Sequence, residues 1–139
     1  MKRDWELLRK QLSDIEDERD VFADIPDTHE RSDQTWEDYE RELKESNATK
    51  SKILGHLELL IDNGFVEGIH VVRGGDDHFS YGLASPRLTM SGHDLLDTMR
   101  SSSIWESIKS TAKTKGIELT FDAIKSLGML AIKQVIRSS

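Results

Sequence analysis

Thr49, Lys50, Lys52, His56 and Arg73 are the residues of this chain whose types suit contact with a nucleic acid. A lysine ammonium can meet a backbone phosphate. A threonine hydroxyl can bond a phosphate or a base edge, and a histidine can reach either. Arg73 stands before the Gly74-Gly75 pair. An arginine at such a hairpin tip can enter a narrow minor groove. Against this reading, Asp76 and Asp77 follow closely and would repel phosphate. Residues 48–62 also hold no arginine, asparagine or glutamine, so the commonest bidentate base readers are missing. The plain alternative is a solvated helix face beside an ordinary hairpin tip.

Other chemistry is thinner. His70, His78 and His93 are possible imidazole ligands, but their spacing fits no compact metal motif and the chain has no cysteine to assist. No metal and no cofactor is expected. Asp94 and Asp97 lie three apart, as a carboxylate pair sharing acid–base work would. One is better explained as an N-terminal helix cap and the other as a surface charge. There is no phosphate loop, nucleophile elbow or zinc-protease helix. An enzyme is therefore not expected.

Charge is unevenly distributed. The formal net charge is −7, with residues 1–46 at −8 and residues 47–139 at +1. The acidic stretch 14–45 reads as a solvated surface, or else as a docking face for a basic partner or a surface that itself imitates DNA phosphate. Lys109, Lys113 and Lys115 form a basic group that could flank a DNA backbone or pair with the acidic third. No apolar run approaches the roughly 20 residues of a membrane span. No apolar stretch follows MKRDW, so no signal peptide is read and a soluble, cytoplasmic protein is expected.

The elements that must position these residues follow from periodicity. Leu8, Leu12 and Ile15 give residues 3–19 a helical stripe, with Asp4 as N-cap. Pro26 disfavours a helix across the polar connection 20–34. Thr35 caps a second helix over 35–45, and Ser46-Asn47 predict a turn and a new cap. A third helix over 48–63 turns Ile53, Leu57 and Leu60 inward and leaves Thr49, Lys50, Lys52, Gly55, His56 and Leu59 outward. Asn63-Gly64 stops it. Strands are predicted at 65–72 and 79–84 around the glycine turn. A fourth helix begins with a Ser91/Asp94 capping pattern, and a fifth begins at Ser103 and ends near Gly116. Thr120 caps a last helix over 121–137. Its apolar residues, Phe121, Ile124, Leu127, Leu130, Ile132, Val135 and Ile136 among them, spread over more than one stripe.

Three strings, MKRDWELLRKQL, HLELLIDNGFVEG and LTMSGHDLLDTMRSSSIWESIK, resemble the bacterial family catalogued as domain of unknown function 2513. The resemblance covers most of residues 1–116. It implies a winged-helix fold and a phage or prophage setting, and it supplies no catalytic residue. The acidic connection 20–46 is longer than the family pattern, and the last helix lies outside it.

The expected fold is α+β, a winged helix-turn-helix of three helices and a two-stranded wing with additional C-terminal helices. Residues 1–100 form the winged domain, and 101–139 form a helical extension that serves as a dimerisation arm. Trp5, Leu8, Leu12, Trp36, Leu43, Ile53, Leu57, Leu60, Phe65, Leu95 and Trp105 are expected in or near the core. The expected function is a small phage-type DNA-binding transcriptional regulator. Two third helices of a homodimer would enter successive major grooves of double-stranded DNA. The alternative is a non-enzymatic module that binds a host or phage protein through its acidic or C-terminal surface.

Overall fold

A computed structural model of the chain describes residues 2–28, 31–75 and 78–138. Asp76 and Asp77, weighed above against a phosphate contact, lie outside the described residues. The elements run α1 (Trp5–Glu16), α2 (Trp36–Asp62), β1 (Val66–Arg73), β2 (Phe79–Leu88), α3 (Met90–Arg100), α4 (Ser102–Lys115) and α5 (Phe121–Ser138). Among the described residues the class is mixed α+β, five helices with one antiparallel hairpin.

Local chemistry sets most boundaries. The Asp4 carboxylate accepts the Leu7 N–H at 3.1 Å and starts α1. Thr35 does the same for α2 through Asp38 N–H, also at 3.1 Å. Gly64, at φ +73°, takes the left-handed position that ends α2. Gly116 ends α4 in the same conformation, and Thr120 accepts the Ala123 N–H at 3.0 Å to start α5.

Three expected boundaries are corrected. Residues 35–63 do not form two helices, because α2 runs unbroken for 27 residues through Ser46 and Asn47. No glycine or proline interrupts it there, and weak helix formers cost only some tenths of a kcal/mol each. The hydroxyls that might have capped a new helix are bound elsewhere. Ser46 meets the Thr28 hydroxyl, and Thr49 donates back to Glu45 O at 3.1 Å. The cap of α3 is Thr89, not Ser91 with Asp94, and the cap of α4 is Ser101, not Ser103.

Thr89 also staples the hairpin's base. Its N–H donates to Phe65 O at 3.0 Å and its hydroxyl to Gly64 O at 2.6 Å. A Cβ at Gly92 would stand 2.0 Å from Phe65 O, so only glycine lets α3 start this close to the α2–β1 turn.

One core joins the elements. Leu8, Leu12, Leu54, Leu57, Leu60, Leu96, Met99, Trp105, Ile108 and Ile124 are all buried in it. Trp105, Ile108 and Ile124 thus share a core with α1 and α2. Trp36 does not belong to it, being 62% exposed near the start of α2, and Leu43 is only half-buried. The first half of α2 extends beside the connection rather than over the core, with Arg31 paired to Glu42.

The mixed faces of α5 now divide. Ile124 is fully buried and Phe121 and Leu127 pack on the core, so these three are not free to form a dimer interface. Leu130, Ile132, Val135 and Ile136, with Met129, remain exposed.

Candidate nucleic-acid interface

The residues singled out from the sequence do not form one cluster. His56 is a correction. It is fully buried, not outward, because Nε2 accepts the Asp4 N–H at 2.8 Å. Its Nδ1 lies 2.7 Å from Lys52 O, so that nitrogen carries the proton and donates. The imidazole ties the N-terminal segment to α2. Gly55 is buried beside it. Thr49 borders the acidic connection with Asp27, Glu42 and Glu45. Lys50 turns to the hairpin, its ammonium 5.5 Å from the Tyr81 ring centroid.

Lys52 and Arg73 do converge. Both line an open groove of about 900 Å3 with Lys2, Arg3, Trp5, Trp105 and Lys109. Asp4 and Glu6 are its only carboxylates among the described lining residues. Four separate stretches of the chain thus bring five cations to one hollow: the N-terminal segment, the middle of α2, the end of β1 and α4.

Local partners hold this wall in shape. Lys52 Nζ lies 2.8 Å from Asp4 Oδ2. That ammonium, then the Leu7 N–H, holds the Asp4 carboxyl below the usual carboxylate value. Arg73 pairs with Glu58 at 2.8 Å and lies over the Phe79 ring. Lys109 pairs with Glu106 at 2.9 Å and with Glu6 at 3.7 Å, and Glu106 chiefly raises its pKa. The Trp105 indole N–H donates to Glu6 at 3.0 Å. Lys2 and Arg3 make no salt bridge among the described residues, and Arg3 lies 5.5 Å from the Trp5 ring centroid. Exposed pairs of this kind contribute about 0–1 kcal/mol, so a phosphate can replace the carboxylates at small cost.

Lys2, Arg3 and Trp5 are the site residues that sequence reasoning missed. Their signal was present in two adjacent cations before an N-cap, but nothing local shows where the chain's first turn will lie.

His93 and Asp97 have structural roles. His93 Nδ1 lies 3.4 Å from Glu16, which also binds Arg100, and this links α3 to the end of α1. Asp97 lies 3.7 Å from Arg100. Among the described residues no group of three His, Cys, Asp or Glu side chains could hold a metal ion. No described helix is long and apolar enough to cross a membrane.

A family model described as a hypothetical protein, DUF2513, matches residues 2–118. The chain belongs to this family. The DUF2513 match takes in every residue lining the groove except Leu119 and leaves α5 outside. A protein of Haemophilus influenzae, described as uncharacterised, is 30% identical over 140 residues, covering 98% of this chain and 99% of that protein. No solved structure matches.

Proposed function

We propose that this DUF2513 chain is a small DNA-binding regulator of winged-helix type. It acts in the cytoplasm in a phage or prophage setting and has no catalytic step. Duplex DNA runs along the basic groove. Lys2, Arg3, Lys52 and Lys109 take phosphates, and Arg73 at the hairpin reaches toward the adjoining groove of the duplex. The carrying observation is the gathering of five cations in one hollow on a chain whose net charge is −7. Counterion release makes such a set the source of salt-dependent affinity. Relative to the sequence expectation, the contact shifts from a recognition helix bearing His56 to the groove beside it. A regulator of this size acts by occupying its site, and a dimer would span two half-sites.

The test is fluorescence-polarisation binding to mixed genomic duplex fragments at about 50 and 200 mM salt, where phosphate contacts are readable. Binding that weakens steeply with salt, and weakens further in the Arg3→Ala/Lys109→Ala variant, supports the reading. Absence of binding at the lower salt overturns it. That result favours the second reading, capture of a host or phage protein, which draws on the exposed apolar end of α5 and the acidic first half of α2.

A further inference from the structure

The last turns of α5 expose apolar side chains. Met129, Ile132 and Val135 recur at helical spacing, and Val135 is 57% exposed. Lys125, Lys133 and Arg137 lie on the same helix with Asp122 as its one carboxylate, and none of the three cations makes a salt bridge among the described residues. An amphipathic end that is apolar and cationic needs an apolar, anionic counterpart.

The chain carries that counterpart itself. The first half of α2 exposes Trp36, which rests against Tyr39 with ring centroids 5.6 Å apart. Glu37 and Glu40 flank it without a salt bridge among the described residues. Glu37, Asp38, Glu40, Glu42 and Glu45 outnumber Arg41 and Lys44 on this stretch. Tryptophan is over-represented among the residues that carry most of an interface's binding energy. Pairing α5 with another α5 would instead set cations against cations, which costs affinity.

We propose that α5 of one copy docks on the first half of α2 of a second copy. Met129, Ile132 and Val135 cover Trp36, and Lys133 and Arg137 face Glu37 and Glu40. The two-fold pairing repeats the contact, so that each copy gives its α5 and receives its partner's. This inference is independent of DNA binding. It departs from the sequence expectation of an interface made by α5 alone, since Phe121, Ile124 and Leu127 serve the chain's own core.

Sedimentation velocity over a micromolar concentration series tests it on the full chain. The wild type is expected to dimerise. Ile132→Glu and Trp36→Glu are each expected to raise the dimer dissociation constant at least about tenfold, and both change exposed positions. Lys133→Glu and Glu40→Lys should each weaken the dimer, and together they should restore it. A folded Trp36→Glu variant that dimerises as well as the wild type would overturn the proposal. A monomeric wild type overturns it as well. If that monomer then floats with anionic lipid vesicles, the face belongs to a membrane surface.

Discussion

Asp4 serves three neighbours at once. Its carboxylate caps α1 and pairs with Lys52, and its N–H donates to the buried His56. The folded-state pKa of Asp4 is lowered. Its pairing therefore stabilises the fold fully above the unfolded carboxylate value and is lost as pH falls through the lower folded value. Asp4→Asn keeps a capping oxygen and removes the titration. Urea midpoints followed from neutral pH into the acid range should then fall less steeply than in the wild type. The loss at neutral pH should be at most about 1 kcal/mol, because the pair is partly exposed. Asp4→Ala removes the cap too and should cost about 0.5–2 kcal/mol more. An unchanged acid limb in Asp4→Asn would show that the pair does not form. His56→Ala should cost about 2–4 kcal/mol, since it opens a cavity and strands the Asp4 N–H. A surface base reader would cost almost nothing in the same unfolding experiment.

At the scale of elements, helix ends with a local chemical cause were legible. Asp4, Thr35, Gly64, Gly116 and Thr120 all stand where the sequence put them. Ends decided by distant contacts were not. Thr89 caps α3 ahead of Ser91 because its hydroxyl and N–H also bind the Gly64 and Phe65 carbonyls. The buried arc of α2 misled for a similar reason. Five successive residues, Ile53 to Leu57, are buried, since the N-terminal segment covers a side that a single stripe would leave to solvent. The groove was even less legible, because its walls come from stretches about 100 residues apart. The continuity of α2 makes a prediction whose sign decides it. In mid-helix, Asn47→Ala should stabilise by about 0.5 kcal/mol, whereas the loss of an N-cap would destabilise by about 1 kcal/mol. Thermal or urea unfolding separates the two. At the other junction, Gly92→Ala drives a Cβ into Phe65 O and should cost about 1–3 kcal/mol, with the hairpin's base the first part to loosen in hydrogen exchange.

On the whole molecule, net charge and local charge oppose each other, and the range of each decides which governs binding. The excess acid lies in residues 1–46, and much of it is spent internally, as where Lys10 bridges Asp14 and Asp24 and Arg19 meets Asp14 and Asp17. At physiological salt the field of a surface charge decays over about 8 Å, so carboxylates beyond that distance would repel a duplex bound as proposed only weakly. At low salt the same carboxylates reach farther and slow the encounter. The two effects predict an unusual salt profile. Equilibrium affinity should fall with salt at a slope of about −0.9 per phosphate neutralised, and neutralising both Lys2 and Arg3 should flatten that slope by nearly two. The association rate should respond less to salt than the affinity does, because the acidic third offsets the steering of the groove. Stopped-flow mixing with duplex DNA across a salt series measures both quantities on the same samples. A slope left unchanged by Lys2→Ala/Arg3→Ala would remove the N-terminal segment from the interface. A slope near zero in the wild type would mean that the groove's cations stay with Asp4, Glu58 and Glu106 and that the hollow is not a phosphate site.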